Sequence, residues 1–391
     1  MSFDQIIDRR GTNCTKWDMM GAPSIGVPAK DGLAMWIADM DFAAPDFLQE
    51  ATQKLIEKAN YGYFIGEPEM KQQISRWMKT RHGWSVDPSE MFSTYGLGNA
   101  IAICLHAYTQ PEDEVIIFTP VYHEFSAKIR RAGRAVKESP LVIRDGVYHM
   151  DLEALEASMT GREKLLIFCS PHNPAGRIWT ADELKALAAF CARHDLLLIS
   201  DDIHHDLTYP GTAYVPLPVA APEAADRLIM LTSASKTFNI AGTRLGTVSI
   251  PDEALRKRFG DWLDSLNIQP NLLGLVQTEA AYSQRGAEWV EQLRTYLAEN
   301  SRVFLDGMGQ IPGVAPMPMQ STYLTWVDFT NTGMEMSEVI RRVREDARIA
   351  PSIGAEFGAG GENFLRFNIG TPRAQVTEAV ERLQNAFADL Q

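Results

Sequence analysis

The stretch SASKTFNIAGTRLG, residues 233–246, holds a single lysine, Lys236, among small and hydroxyl-bearing residues. It follows an apolar, strand-like run, Leu228–Leu231, and Arg244 lies eight residues beyond the lysine. Small residues let a backbone approach a ligand closely, whereas a surface lysine usually has charged or helical neighbours. Lys236 is therefore a candidate nucleophile, of the kind that forms a Schiff base with a carbonyl group.

Two parts of the chain offer groups that bind phosphate. The segment Gly96–Asn99 precedes an apolar helical stretch, Ala100–Tyr108, so that backbone N–H groups and the helix dipole favour an anion there. Near the lysine, Ser233 and Ser235 add hydroxyl donors and Arg244 adds a bidentate guanidinium. The alternative for Arg244 is a surface salt bridge.

Asp201 and Tyr122 would complete such a site. Asp201 ends a largely apolar run, so its carboxylate is expected near the core, where a buried acid needs a positive partner such as a pyridinium N–H. Tyr122 is placed to stack on an aromatic ring. The alternatives are a structural ion pair or a helix cap for Asp201 and ordinary packing for Tyr122. Together with the lysine and the phosphate groups, these residues predict a site for pyridoxal phosphate (PLP).

The elements that must position these residues follow an α/β pattern. Between about residues 90 and 250, short apolar runs alternate with amphipathic segments of helical length, such as Thr180–Arg193, which predicts a mostly parallel central sheet covered by helices. Distinctive polar residues follow these runs, at the edge where open α/β sheets bind ligands. The predicted strands are Val115–Phe118, Leu165–Cys169, Leu196–Ser200, Arg227–Leu231 and Gly246–Ile250.

The C-terminal part predicts a smaller α+β unit. We expect a large domain over residues 46–284 and a small domain formed by residues 1–45 and 285–391, with the boundary in or beside a long helix. The small domain is predicted to contain two strands and two helices, at Ser321–Phe329, Phe364–Ile369, Met336–Asp346 and Gln375–Ala388.

Composition excludes several classes of protein. Among 391 residues, 45% are hydrophobic and 22% are charged, which is typical of a globular chain and not of a disordered one. The 37 basic residues are outnumbered by 50 acidic ones, which disfavours a nucleic-acid partner. No apolar run is long enough to cross a membrane, and the N-terminus does not read as a signal peptide. We therefore expect a cytoplasmic protein.

The cysteines and histidines do not predict a metal site. Cys14, Cys104, Cys169 and Cys191 are widely spaced and are expected to be reduced. The adjacent pair His204-His205 diverges on either a strand or a helix, so it does not present two ligands to one ion.

The chain resembles the fold type I, class I/II aminotransferase superfamily of PLP enzymes over nearly its full length, and more closely its bacterial cystathionine β-lyase (carbon–sulfur lyase) branch. The resemblance rests on the order and spacing of Arg10–Asp18, Trp36–Phe42, Tyr61–Tyr63, Asn173–Gly176, Ser200–His204, Ser233–Gly246, Gln320–Leu324 and Arg366–Asn368.

The resemblance implies roles for these residues. Lys236 matches the lysine that binds PLP covalently, Asp201 the partner of the pyridine nitrogen, and Arg366 the clamp for the substrate α-carboxylate, beside Ala38 and Asp39. Tyr61 matches a tyrosine that reaches the phosphate of the neighbouring subunit, which implies a homodimer with shared active sites. The remaining cofactor-binding positions are Gly96, Leu97, Gly98, Tyr122, Asn173, His204, Ser233 and Arg244.

Two reactions are compatible with this site. A carbon–sulfur β-lyase would cleave L-cystathionine or a related cysteine S-conjugate to pyruvate, ammonia and a thiol, as the Trp36–Phe42 motif indicates. Arg244 departs from the lyase pattern and matches the phosphate arginine of aminotransferases, so the alternative is transfer of an amino group to a 2-keto acid. A third hypothesis is a regulatory binding protein, although no acidic or basic tail indicates a docking segment.

Overall fold

The structure is a computed structural model that describes residues 2–28 and 30–390. The helices are α1 (Thr15–Asp18), α2 (Asp46–Lys58), α3 (Glu67–His82), α4 (Leu97–Tyr108), α5 (Glu124–Arg131), α6 (Leu152–Ala157), α7 (Ala181–Arg193), α8 (Leu217–Ala220), α9 (Glu253–Ser265), α10 (Leu272–Ala281), α11 (Gln284–Met308), α12 (Met336–Arg341) and α13 (Arg373–Ala386). The strands are β1 (Leu33–Ala34), β2 (Met91–Thr94), β3 (Glu114–Thr119), β4 (Ala135–Pro140), β5 (Val142–Arg144), β6 (Val147–His149), β7 (Glu163–Cys169), β8 (Leu197–Asp201), β9 (Leu228–Thr232), β10 (Gly246–Ser249), β11 (Ala315–Pro316), β12 (Leu324–Asp328), β13 (Ile349–Ala350), β14 (Ser352–Ile353) and β15 (Phe364–Asn368).

A seven-stranded sheet forms the centre of the molecule, in the order β2-β10-β9-β8-β7-β3-β4. The strands from β9 to β4 are parallel, and β10 runs antiparallel to both of its neighbours. Its parallel strands bring the turns that follow β3, β7, β8 and β9 to one edge, as the sequence predicts. These turns carry the candidate site residues.

Alternate side chains of the parallel strands pack on opposite faces of this sheet. On β3, Val115 and Ile117 join a core formed with α4, α5 and α9. Ile116 and Phe118 join the larger core on the other face, together with α3, α7 and α11. Because both faces are covered, the strands are apolar throughout, which is why they can be recognised in the sequence.

A four-stranded antiparallel sheet, β11-β12-β15-β14, lies in the C-terminal part, where α11 packs on α13. The strands predicted around 321–329 and 364–369 are confirmed as β12 and β15. The helix predicted at 336–346 begins at Met336 but changes at Arg342–Asp346 to a π-helical turn. The short strand β11 was not predicted from the sequence. The division into two domains near residue 285 stays a prediction.

Thr180 caps α7, the helix predicted at Thr180–Arg193. Its hydroxyl accepts a hydrogen bond from the Glu183 backbone N–H, and the Glu183 carboxylate accepts one from the Thr180 N–H, which completes a capping box. The sequence analysis missed β2 and β4. The first has only four residues and the second, with the sequence AVKESP, is a partly exposed edge strand without an apolar run.

Cys14, Cys104, Cys169 and Cys191 are buried and free. Within the described residues, no helix has the length and apolar character needed to span a bilayer.

Candidate active site

A cleft of about 910 Å³ opens at the carboxyl ends of the parallel strands. One wall comes from the turns at this sheet edge, and the opposite wall comes from the N-terminal segment and the C-terminal part. Most of the predicted site residues line the cleft, namely Ala38, Gly96, Leu97, Gly98, Tyr122, Asn173, Asp201, His204, Lys236, Arg244 and Arg366. Residues that the sequence predicts for one site therefore lie around one cleft.

Lys236 lies in the turn after β9 with its amine inside the cleft. The Nζ atom donates a hydrogen bond of 2.6 Å to the backbone carbonyl oxygen of Ala38 on the opposite wall. Burial lowers the pKa of the Lys236 amine to about 8, a change that the nearby Arg366 favours and the Asp39 carboxylate opposes. A larger share of this amine is therefore neutral at physiological pH than in an ordinary lysine.

Asp201 is the last residue of β8, where it pairs in register with Cys169 of β7. Its carboxylate is buried and accepts a hydrogen bond of 3.2 Å from the Ile203 backbone N–H. Burial raises the pKa of the Asp201 carboxyl to about 7. No side-chain cation within the described residues forms an ion pair with Asp201, so the structural ion pair considered from the sequence is not formed. The carboxylate instead faces the cleft, where the cationic group of a bound molecule would be its partner.

Asn173 and Tyr122 are joined through their backbones, because the Tyr122 N–H donates to the Asn173 carbonyl oxygen at 3.2 Å. The Asn173 side-chain oxygen accepts a hydrogen bond of 3.0 Å from Arg366, which leaves the amide NH₂ as the donor of this side chain. The half-buried Tyr122 ring packs edge-on against Phe125 and also borders the cleft. The packing offered as the alternative for Tyr122 thus occurs, while its stacking on a bound aromatic ring stays a prediction.

The N-terminus of α4 reaches the cleft at Gly96, where a φ of 83° suits glycine. Gly246 of β10 lies against it, and a Cβ at that position would come within 2.9 Å of the Gly96 carbonyl carbon and 3.0 Å of the Leu97 nitrogen. The close approach of β10 to this helix therefore requires Gly246. Together these contacts build a cradle of helix N-terminal groups that suits an anion.

Ser233 and Arg244 differ in their relation to this cradle. The Ser233 hydroxyl donates to the Leu245 carbonyl oxygen at 2.7 Å and supports the turn, while Ser235 lines the cleft. Arg244 lines the cleft in a left-handed backbone conformation with φ 50°. Among residues 2–28 and 30–390, its side chain has no ion-pair partner, so the surface salt bridge proposed as an alternative is not formed.

Arg366 occupies β15, opposite Trp326 of β12 and Ser352 of β14. Its guanidinium donates to Asn173, to the Trp36 carbonyl oxygen at 2.7 Å and to the Ser352 hydroxyl at 3.0 Å. The Nε atom is buried without a hydrogen-bond acceptor in the described part of the chain. Burial lowers the pKa of Arg366 to about 10, so it stays cationic at neutral pH. A fixed and incompletely satisfied fork of this kind suits a carboxylate.

Asp39 lies outside the cleft lining, although its neighbour Ala38 is part of it. The Asp39 carboxylate pairs with Arg9 at 2.8 Å. The following acid, Asp41, pairs with the fully buried Lys16 at 2.6 Å. These pairs hold the Trp36–Phe42 segment in place, so the structure gives Asp39 a supporting position rather than one facing the cleft.

His204 is buried at the cleft, and its Nδ1 atom has no hydrogen-bond partner in the described residues. Burial keeps the pKa of this imidazole well below its ordinary value, so the ring is neutral. Tyr61, in contrast, lies outside the cleft lining with 67% of its surface exposed. Its predicted contact with a second subunit stays a prediction.

A second polar cluster lies behind the site, around the buried Asp206. This carboxylate contacts Trp77 Nε1 at 3.1 Å, His82 Nε2 at 2.8 Å, Arg81 Nε at 3.4 Å and His205 Nε2 at 3.1 Å. Burial opposes its ionisation, but these facing groups hold the pKa of Asp206 well below its usual range. The side chains of His82, His205 and Asp206 are close enough together to bind one metal ion. The Asp206 carboxylate, however, already contacts the donors named above, which include the cationic Arg81.

Asn239 and Asp206 are supporting residues that the sequence analysis did not single out. Asn239 connects the lysine turn to Met40, and Asp206 lies 3.5 Å from the hydroxyl of Thr237, the residue after the lysine. The only signal in the sequence was their position within three residues of Lys236 and His204.

Comparison with known proteins agrees with this site. The model of the family "Aminotransferase class I and II" matches residues 38–383. The chain is 34% identical to cystathionine beta-lyase PatB of Bacillus subtilis over 99% of this chain and 100% of the relative, and 32% identical to protein MalY of Escherichia coli over 98% of each. The crystal structure of cystalysin from Treponema denticola, which contains pyridoxal 5'-phosphate, matches with a TM-score of 0.95 and 32% identity over 100% of this chain and 99% of that one. With its fold and its lysine-bearing cleft, the chain belongs to the aminotransferase class I and II family.

Proposed function

We propose that this protein is a PLP-dependent carbon–sulfur β-lyase that cleaves L-cystathionine or a related cysteine S-conjugate to pyruvate, ammonia and a thiol. The observation that carries the proposal is the buried Lys236 amine in a cleft shared with Asp201 and Arg366. The full-length similarity to PatB supports the lyase reaction over other reactions of the family.

The residues present fit PLP. Lys236 would hold its aldehyde carbon, the buried Asp201 would face the pyridine nitrogen, and the Asn173 NH₂ would face the phenolic oxygen. The α4 N-terminus at Gly96, with Arg244, would hold the phosphate. When bound, PLP withdraws electrons from the α-carbon of an amino acid, which acidifies the α-proton and promotes loss of the β-sulfur group.

Lys236 is suited to move the α-proton. Its pKa of about 8 provides a neutral amine near physiological pH, which a general base requires. The hydrogen bond to the Ala38 carbonyl oxygen fixes the amine on one side of the cleft. Once the amine has taken the α-proton as an ammonium, it is also a proton donor for the departing sulfur.

Asp201 and Arg366 orient the reaction. The Asp201 carboxylate, paired with a pyridine N–H, keeps that nitrogen protonated, and the pair gains strength from burial. Its carboxyl pKa of about 7 would then fall, because a facing cation favours the ionised form. The Arg366 fork would bind the planar α-carboxylate and thereby present the α-proton to Lys236.

An aminotransferase is the second candidate function. Arg244 favours it, because this arginine matches the aminotransferase pattern and lines the cleft without an ion-pair partner in the described residues. In this reaction Lys236 would move the α-proton to the cofactor instead of assisting departure of sulfur.

A homodimer with shared sites is part of the proposal, as are a cytoplasmic location and a domain boundary near residue 285. Support for the dimer comes from the segment Tyr61–Ile65, where Tyr61 is 67% and Ile65 96% exposed. Exposed aromatic and apolar side chains that are close together along the chain are typical of a surface that a partner covers.

The test is to measure pyruvate and free thiol from L-cystathionine with purified, PLP-loaded protein and no added keto acid. Sustained release of both over many turnovers supports the lyase. A single conversion of the cofactor absorption band without pyruvate would identify the aminotransferase. Lys236→Ala is the control, since it should bind PLP without the imine band and release neither product.

A further inference from the structure

Four arginines follow one another on the segment that begins with α12, and one of them differs from the rest. Arg341 pairs with Glu338 at 2.8 Å, Arg342 also pairs with Glu338 at 2.8 Å, and Arg348 pairs with Asp31 at 3.0 Å. Arg344 has no ion-pair partner among residues 2–28 and 30–390. Three of these guanidiniums are thus neutralised at the surface, while the fourth is not.

Arg344 faces the cleft instead of the surface. It lines the cleft of about 910 Å³ and is half-buried. Its Nη2 atom donates to the Ser24 carbonyl oxygen at 3.1 Å, while its Nε atom is buried and has no acceptor within the described residues. An N–H group removed from water without an acceptor is unfavourable, so the Nε of Arg344 is prepared for a partner that the described chain does not supply.

The backbone at this position is unusual as well. Arg344 lies in the π-helical turn Arg342–Asp346, which interrupts the helix begun at Met336. Such turns are rare and are frequently found at functional sites, because they redirect a side chain that a regular helix would place elsewhere.

Burial lowers the pKa of Arg344, and the charge of the exposed Glu356, which also lines the cleft, opposes this change. No salt bridge joins the two residues in the described chain. Lys128, another basic residue of the cleft, is already paired with Glu124 at 3.0 Å. Like Arg366, Arg344 therefore has no ion-pair partner in the described chain, and its guanidinium donates one hydrogen bond where that of Arg366 donates three.

Arg344 belongs to the same wall as Arg366, which is formed by the N-terminal segment and the C-terminal part. The groups suited to phosphate, at Gly96 and Arg244, belong to the opposite wall, at the sheet edge. If Arg366 takes the α-carboxylate of a substrate, a second guanidinium on its wall is available for a second anionic group at the far end of the same molecule.

We propose that Arg344 is a specificity-determining residue that binds a carboxylate on the leaving-group side of the substrate, so that the preferred substrates are cysteine S-conjugates whose thiol carries its own carboxylate. This assignment rests on the β-lyase function proposed above. It adds a charge requirement for the thiol that departs, which neither the family nor the fold specifies.

The test compares two substrates of the same shape. S-(2-carboxyethyl)-L-cysteine and S-(2-carbamoylethyl)-L-cysteine differ only in that a carboxylate is replaced by a neutral amide. With the PLP-loaded wild-type protein, we expect kcat/KM for pyruvate release to be about tenfold or more higher for the carboxylate. Arg344→Gln should remove this preference and leave the amide substrate within about twofold of wild type.

Arg348→Gln is the matched control. It removes an arginine four residues away whose partner, Asp31, is exposed at the surface, and it should leave both substrates unchanged. A preference for the carboxylate that persists in Arg344→Gln overturns the proposal. So does an equal loss for both substrates, which would indicate a structural role, or loss of PLP from the variant, which would place Arg344 at the cofactor phosphate.

A binding measurement separates this proposal from the β-lyase function. L-2-aminopimelate has the shape of the carboxyethyl substrate but lacks the sulfur leaving group, and calorimetric titration of the PLP-loaded protein gives its Kd beside that of its ω-amide. Tighter binding of the dicarboxylate that depends on Arg344 supports the proposal even if no pyruvate is released from any conjugate. Equal Kd values for the two ligands would overturn it, whatever the reaction.

Discussion

Asn239 holds Met40 through both of its backbone groups. The Asn239 Oδ1 atom accepts a hydrogen bond of 2.9 Å from the Met40 N–H, and its Nδ2 atom donates one of 2.7 Å to the Met40 carbonyl oxygen. Asn239 belongs to the turn that carries Lys236, and Met40 belongs to the segment whose Ala38 carbonyl accepts the lysine amine. One side-chain amide thus links the turn after β9 to the Trp36–Phe42 segment, and Lys236 is held between these two parts of the chain.

Replacing Asn239 with alanine should therefore misplace Lys236 without removing it. Both Met40 groups lose a partner, at a cost of about 1–3 kcal/mol in the free energy of unfolding. We expect kcat/KM to fall by about tenfold or more while the imine band is retained, because the amine is still present. Absorption spectra, chemical unfolding and steady-state rates measured on the same samples check this. Loss of stability with a normal rate would show that Asn239 has no positioning role.

The Lys236 amine should react with added PLP in a characteristic pH range. Only the neutral amine is nucleophilic, so the rate of cofactor uptake by cofactor-free protein should rise with pH and level off above about 8, the pKa set by burial. An ordinary lysine would level off near 10.4. Stopped-flow absorbance between pH 6 and 10 measures the profile. Lys236→Ala, which lacks this amine, defines the background.

Asp201 should make the cofactor-free protein less stable as pH rises. Its folded pKa of about 7 lies above its ordinary value, so the folded state holds a proton that the unfolded state loses first. Stability is therefore lost between about pH 4 and pH 7, by up to about 4 kcal/mol for this one group.

Asp201→Asn should remove this pH dependence. The stability of the variant relative to wild type should therefore be higher at pH 7.5 than at pH 4.5. Urea unfolding of both cofactor-free proteins at the two pH values measures the difference. After PLP is added, the order should reverse, since only the carboxylate pairs with the pyridine nitrogen. An identical pH dependence in both proteins would show that the Asp201 carboxyl is already ionised.

Arg244→Leu should weaken retention of PLP. A guanidinium that binds phosphate contributes about 1.5–3 kcal/mol, so we expect the Kd of PLP to rise by at least tenfold. Equilibrium dialysis followed by absorbance measures this change. Arg302→Leu, which removes an exposed arginine paired with Glu299, is the matched surface control. Unchanged retention in both variants would remove Arg244 from the phosphate site and weaken the case for an aminotransferase.

Asp206 should contribute strongly to the stability of the fold, although it does not line the cleft. Asp206→Asn leaves the buried imidazoles of His82 and His205 without their anion and Arg81 with Glu291 alone, so we expect a loss of about 3–5 kcal/mol in the free energy of unfolding. Glu291→Gln removes the other acid of Arg81, which is largely exposed, and should cost less than about 1 kcal/mol. Denaturant unfolding of the two variants compares the costs directly. Similar losses would show that this network does not depend on Asp206.

Much of the site could be predicted because its residues follow apolar strands. Asp201 ends one such strand, β8, and Lys236 lies in the turn that follows another, β9, and strands buried on both faces are easily recognised. The antiparallel direction of β10 and the edge strand β4 could not be predicted, since pairing depends on contacts far apart in sequence. For the same reason, the place of Asp39 in an ion pair with Arg9, outside the cleft, is visible only in the fold.

The burial of the four cysteines has a consequence for a protein that releases thiols. Thiol–disulfide exchange begins with a thiolate that can be reached from solvent. Cys104, Cys169 and Cys191 are at most 4% exposed, and burial raises the pKa of each thiol, that of Cys191 to about 12. Cys14 is buried as well. Cys169 borders the cleft from which the thiol would depart, but burial keeps its pKa well above the ordinary value, so its protonated thiol is a poor nucleophile there. A lyase built in this way resists mixed disulfides with its own product.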